Sequence, residues 1–331
     1  MFFRQAHNPR LRALPTMTLP IANLPGLVEL LARHHERGEK LPSLDLRALN
    51  QITEHTPADM TVTVEAGLTL GALQAQLATH RQWLPLDPPH GQDLTVGALL
   101  AENLSGPRRF SYGTVRDYLL GLTVVLADNR VIHSGGKVVK NVAGYDLLKL
   151  FIGARGSLGV IVSATFKLRP LPEAEEFVEQ RCDSPAQAAT LIESVIASEL
   201  TPVVLDWHNL STLNSPRSTV VVGFAGTRAE VDWQLGVARQ LGLRAPSSLE
   251  HERRFWSGEF TAPVGHASVL PASVHEAVTQ LGPVPFVARA GNGVVWHRGG
   301  RAPETPPAAS ALAQRVKAAY DPKNILPDLP T

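Results

Sequence analysis

Two loops made almost wholly of small residues sit inside one strand-patterned stretch, and they constrain the fold of this chain more than any other feature. The first is Thr95-Val96-Gly97-Ala98, followed by Asn103-Leu104-Ser105-Gly106-Pro107-Arg108-Arg109. The second is Lys140-Asn141-Val142-Ala143-Gly144-Tyr145-Asp146, followed by Gly153, Gly156 and Gly159. Without bulky side chains, backbone N–H groups can approach an anionic ligand, and Ser105, Arg108 and Arg109 add a hydroxyl and charge. Glycine turns that serve the fold alone are the competing reading.

The runs around these loops predict their elements. Leu24, Leu27, Val28 and Leu31 fall at helical spacing, so 24–37 reads as an amphipathic helix ended by Gly38. Short strands are predicted at 43–46 and 61–66, and Thr69 caps a helix bearing Leu70, Leu73 and Leu77. Residues 84–97 read as loop. Strand 122–127 turns through Asp128-Asn129 into 131–133, a hairpin. In 158–168, Val160, Val162, Ala164, Phe166 and Leu168 share one face.

Pro170 and Pro172 stop that strand, and a domain boundary is expected there. Beyond it come a strand at 177–181, a helix opened by Ser184-Pro185, strands at 203–205 and 219–224, a helix at 228–241 and a fourth strand at 267–270. That β-α-β-β-α-β order is ferredoxin-like. A helix at 273–281, two short strands near 285–296, a linker at 303–307 and a helix near 308–320 complete the chain.

Composition excludes several classes. Lys and Arg number 31 against 30 Asp and Glu, so the net charge of +1 supplies no field for nucleic acid. The lone Cys182 excludes a disulfide framework, a four-cysteine zinc site and a protein-held iron–sulfur cluster, and no metal site is expected. No apolar run reaches the ~18 residues of a membrane span. Residues 1–16 lack an apolar core and read as a disordered tail, with the cytoplasm as the expected location. G-x-G-x-x-G, Walker A, G-x-S-x-G and H-E-x-x-H motifs are all missing.

The run 105–121 and the run 135–146, continued through Gly159-Val160-Ile161, resemble the vanillyl-alcohol-oxidase (PCMH-type) FAD-binding family. Within it they are most similar to the small FAD-binding subunits of glycolate oxidases. The match is strong over 60–172 and weaker, though in register, at Phe255-Trp256 and at Asp321-Pro-Lys-Asn-Ile325. The resemblance implies an α+β fold: a PCMH-type FAD-binding domain of two subdomains over 17–172, followed by a ferredoxin-like cap over 173–331. It implies FAD, held non-covalently here because the histidine that attaches flavin in some relatives would sit in an early loop that this sequence lacks. It also implies a larger flavin-containing subunit and an iron–sulfur subunit as partners, a 2-hydroxy acid such as glycolate or D-lactate as substrate, and a location that is cytoplasmic or membrane-peripheral through those partners.

Residue by residue, the resemblance assigns Gly97, Ser105 and Gly106 to the pyrophosphate and Tyr112, Gly113, Arg116 and Asp117 to the turn behind it. Gly144, Tyr145 and Asp146 would line the flavin cleft, and Gly159, Val160 and Ile161 the adenine end. Arg116 and Asp117 read equally as a structural ion pair, and Tyr145 as a core aromatic. Arg108, Arg109, His90 and Tyr145 are candidates for holding or deprotonating substrate, with no convergent set among them.

The sequence departs from the family in two places. The early glycine-rich pyrophosphate loop is shortened, leaving only Gly38 between Arg37 and Arg47, and the C-terminal segment reads Asn324-Ile-Leu-Pro-Asp. Each lost charge-assisted hydrogen bond costs about 1.5–3 kcal/mol. A structural or assembly subunit that binds FAD weakly or not at all is therefore the alternative.

Overall fold

The computed structural model describes residues 18–136, 147–211, 217–299 and 310–329. In chain order the first part runs β1 (Thr18–Pro20), α1 (Leu24–Arg37), β2 (Ser43–Asp45), β3 (Ile52–Thr56), β4 (Thr61–Glu65), α2 (Leu70–Ala78), β5 (Gln82–Trp83) and α3 (Val96–Glu102). It continues through α4 (Arg109–Tyr112), α5 (Val115–Tyr118), β6 (Leu119–Val125), β7 (Val131–Gly135), α6 (Leu148–Phe151), β8 (Val160–Lys167) and β9 (Arg169–Pro170). Then follow β10 (Ala174–Cys182), α7 (Pro185–Ala197), β11 (Val204–Asn209), β12 (Ser218–Gly226), α8 (Arg228–Gln240) and β13 (Ala245–Pro246). The last elements are α9 (Glu250–Trp256), β14 (Val264–Ser268), α10 (Val274–Leu281), β15 (Phe286–Arg289), β16 (Val294–Arg298) and α11 (Ser310–Tyr320).

These residues form two compact units. The first holds the described residues up to 105, those of 114–171, and 310–329; the second holds Gly106–Gly113 and 172–299.

The first unit is built on a five-stranded antiparallel sheet, β3-β4-β8-β6-β7, with β1 and β2 as a separate parallel pair. Asn23 caps α1 by accepting from the Gly26 amide at 2.9 Å, and Gly38 ends the helix at φ 65°. Leu27, Leu30 and Leu31 then face a core shared with Val125, Ala127 and Val162. The predicted face of β8 is buried at Val162, Ala164, Phe166 and Leu168. The β6–β7 hairpin turns at Asn129, φ 62°, a left-handed position that asparagine tolerates well. Residues 84–97 are not loop throughout, because α3 already starts at Val96 behind the Thr95 cap.

In the second unit a seven-stranded antiparallel sheet runs β13-β10-β12-β11-β15-β16-β14. Trp207, Val220, Val222 and Phe224 form its core with residues of α7 and α8. The first four positions carry the ferredoxin-like order, but its fourth strand is not 267–270. That role falls to β13, which pairs with β10 through Val178↔Pro246 and Glu179↔Ala245. Two residues ending in a proline carry no period, and proline is tolerated there because the strand is an edge. The predicted fourth strand is β14, which pairs with β16 at the opposite edge.

Candidate functional site

In the first unit, backbone bonds bring two loops together. The Gly153 amide donates to Leu100 O and the Arg155 amide to Ala101 O, both at 3.0 Å. Arg155 Nε lies 2.9 Å from Glu102 Oε2. The loop after α6 is thereby fastened to the end of α3. Asn103 (φ 51°), Gly153 (φ 79°), Arg155 (φ 48°) and Gly156 (φ 77°) all occupy the left-handed region, and such clusters often mark binding sites. The faces of the two glycines are uncrowded. Among the described residues a Cβ would meet nothing nearer than Asn103 Cβ at 3.5 Å over Gly153 and Pro327 Cγ at 3.9 Å over Gly156, both ordinary contact distances.

Other predicted site residues serve the fold. The amide of Gly97 donates to Ala66 O at 2.7 Å, and a Cβ there would sit 3.0 Å from Ala66 Cβ. Val96 N is bonded to Leu68 O and Ala98 N to Thr95 Oγ1. The start of α3 is closed, so Gly97 does not offer its amide to a pyrophosphate as expected; it lets α3 pack on the end of β4. Asp117 is engaged chiefly by the start of α5, with Lys167 and Arg116 adding a weaker Coulombic pull. Its Oδ2 accepts from Thr114 N at 2.7 Å and Thr114 Oγ1 at 2.9 Å, a capping box on α5. The Thr114 amide is the main cause holding its carboxyl below the ordinary range. Arg116 beside it is exposed.

Gly159 has a packing reason too, since a Cβ would lie 2.6 Å from Val124 Cγ1. Val160 and Ile161 pair with Val125 and Val124 of β6. Ser105 is half-buried at the end of the α3 loop. Gly106, Tyr112 and Gly113 belong to the stretch that clusters with the second unit, where Gly113 caps α4 at φ 86°. Gly144, Tyr145 and Asp146 lie outside the described residues.

Of the substrate candidates, Arg108 is engaged. Its Nε lies 2.8 Å from Glu175 Oε1 and its Nη2 2.5 Å from Glu175 Oε2, a bidentate pair within the second unit. Arg109 opens α4, and His90 is exposed at a turn with φ 55°. Tyr145 is outside the described residues.

The second unit holds a buried polar chain that spacing alone did not reveal. Trp256 Nε1 donates to Glu252 Oε1 at 2.7 Å, and Arg289 bridges Glu252 Oε2 (2.5 Å) and Asp206 Oδ2 (2.6 Å). His251 Nε2 lies 2.8 Å from the same Asp206 oxygen. His208 stacks on His251 with ring centroids 4.6 Å apart and planes 4° apart. Burial first, then the neighbouring His251, pushes His208 down to about 3, so its ring is uncharged at neutral pH. Burial pushes the Asp206 carboxyl up, but the Arg289 charge and the His251 hydrogen bond outweigh it and leave it low. The only legible signal was alternation on β11, which places Asp206 and His208 on one face.

Comparison with known proteins gives these loops a context. Residues 33–135 match the family model described as FAD binding domain. The chain is 37% identical over 166 residues to glycolate oxidase subunit GlcD of Bacillus subtilis, covering 50% of this chain and 35% of that one. It is 39% identical over 133 residues to glycolate oxidase subunit GlcE of Escherichia coli, covering 40% and 38%. A D-lactate dehydrogenase of Archaeoglobus fulgidus is 41% identical over 133 residues, covering 40% and 28%. The chain thus spans little more than a third of the length of the first two relatives. In fold it is similar to alkyldihydroxyacetonephosphate synthase, with a TM-score of 0.72 at 15% identity over 93% of this chain and 76% of that one. The chain has an α+β fold, and its residues 33–135 match an FAD binding domain.

The described residues fit such a cofactor at one wall. The open glycine faces at 153 and 156, next to Asn103, leave the space that side chains would fill. The start of α3 does not fit, because its amides are spent inside the protein. Among the described residues no group of three or more His, Cys, Asp or Glu could hold a metal ion.

Proposed function

We propose that this chain is an FAD-binding subunit of an oxidoreductase acting on 2-hydroxy acids of the glycolate and D-lactate class. The observation that carries this reading is the 37–39% identity to two glycolate oxidase subunits. We read the first unit as the part that holds FAD, without covalent attachment, and the second as the cap. Bound FAD supplies a ring that accepts a hydride equivalent from the carbinol carbon of the substrate. Ser105, with Asn103, Gly153 and Gly156, is the described wall against which the dinucleotide rests. Val160 and Ile161 present backbone to its adenine end, Arg116 offers an exposed guanidinium, and Gly144, Tyr145 and Asp146 remain assigned to the cleft. Electrons pass to a larger flavin subunit and an iron–sulfur subunit. The complex is cytoplasmic or peripheral to a membrane; among the described residues no helix is long and apolar enough to cross one.

A second reading is favoured by the closed start of α3 and the short 38–42 connection. In it the chain assembles the same complex but binds FAD weakly or not at all. The visible spectrum of natively purified protein decides between them. Flavin absorption that is released into the supernatant by acid precipitation is expected. Colourless protein that takes up no FAD on soaking supports the second reading.

A further inference from the structure

We propose that Lys317 is a positioning residue for the cofactor loop 153–159, held in place by the C-terminal segment that follows α11. The proposal rests on reading the first unit as the one that holds FAD. Lys317 is a buried lysine, its side chain only 11% exposed. Its Nζ donates to Ser157 O at 2.9 Å, to Pro327 O at 3.0 Å, to Leu326 O at 3.4 Å and to the Asp321 carboxylate. Ser157 lies between the open-faced Gly156 and the start of β8, so the ammonium ties that loop to the far end of the chain. A buried charge persists only when it is paired and hydrogen-bonded, and four oxygens around one ammonium meet that condition.

The segment that presents these oxygens is itself fixed. The Asp321 side chain is fully buried and accepts from Ile325 N at 2.9 Å and Leu326 N at 2.8 Å. Ile325 and Leu326 are completely buried among Leu27, Leu31, Val125 and Val162. Lys40 grips the outer end through Asn324 Oδ1, Leu326 O and Asp328 Oδ1, and Leu41 N donates to Ile325 O at 2.8 Å. Tyr320 meets Phe151 of α6 edge-on at 5.9 Å, directly before the same loop. A tail that merely packed on the surface would need neither a buried ammonium nor a buried carboxylate. The ammonium reaches the loop at Ser157 O, and the carboxylate holds the ammonium and the segment behind it.

The test uses the full chain carrying Lys317→Met, at a temperature where it is fully folded. FAD affinity is read by flavin fluorescence and local order by hydrogen exchange. The expected result is an FAD dissociation constant raised about tenfold, because the loop against which the dinucleotide rests is no longer held in place. The amides of Gly153, Arg155 and Ser157 should exchange faster while Val220 and Val222 keep their protection. Arg130→Ala, an exposed side chain of the β6–β7 turn paired with Asp128, should leave both FAD affinity and the loop unchanged. If Lys317→Met does not fold, Asp321→Asn, which keeps shape and removes the charge, carries the same expectation. Unchanged exchange across 153–157, or faster exchange with unchanged affinity, overturns the proposal. Wild-type protein that takes up no FAD overturns the reading of the unit instead, and the exchange data then decide whether Lys317 holds the loop.

Discussion

Gly159 and His208 show how one side chain decides a local outcome. Gly159 was expected at the adenine end, yet its missing side chain is explained by Val124 Cγ1, 2.6 Å from where a Cβ would stand, and Val125 O at 3.1 Å. Gly159→Ala should destabilise the protein by about 1–3 kcal/mol through overpacking. The urea midpoint should fall equally with and without FAD, whereas a midpoint that falls only with FAD would restore the ligand role. His208 makes a pH prediction. Its folded value near 3 lies below the ordinary 6.5 of the unfolded chain. As pH drops below 6.5 the unfolded chain takes the proton first. The stability is therefore complete above 6.5 and declines towards 3, by up to about 1.4 kcal/mol per pH unit. Urea midpoints between pH 7 and 4 should show this slope, and His208→Phe, which keeps the stack, should flatten it. The residue scale was the least legible in the sequence. A glycine quoted from a motif does not disclose whether its bare face meets a ligand or Val124.

At the scale of elements, the caps were readable because their chemistry is local. Thr69 and Ser184 each accept from an amide three residues on, and Gly38 takes positive φ at the end of its helix. Strand β8 was readable from its two-residue period. Strand β13 was not, being two residues long, and neither was the chain from Trp256 to His251, whose members come from β11, α9 and β15. That chain predicts how α9 is held. Arg289→Met would leave Asp206 and Glu252 without their shared cation. The loss should be about 3–5 kcal/mol, as for other buried pairs cut on one side. The Phe255 amide should then exchange by local opening of α9 while Val220 stays protected; equal loss at both positions would mean that α9 is not a separate cooperative piece.

The whole molecule is threaded more deeply than a reading from left to right implies. Two prolines that stop a strand suggest a boundary near Pro172, but α4 clusters with the second unit and α11 with the first. Phe110 of α4 lies directly over Gly291, where a Cβ would come within 1.9 Å of its ring. Contacts between residues some 180 positions apart leave no periodic trace, which is why these assignments could not be read in advance. Expressed alone, 172–331 would lack the Phe110 ring and expose Ile325 and Leu326. Such a fragment should aggregate or bind a hydrophobic dye, and a soluble, cooperatively melting fragment would refute the assignment.

The same threading sets the order of manufacture. Lys40 and Leu41 leave the ribosome long before Asn324 and Ile325, so the nascent first unit waits, unfinished, while the entire seven-stranded sheet is synthesised. Its closing carbonyls arrive only after that sheet has been made, and a chaperone has that interval in which to act.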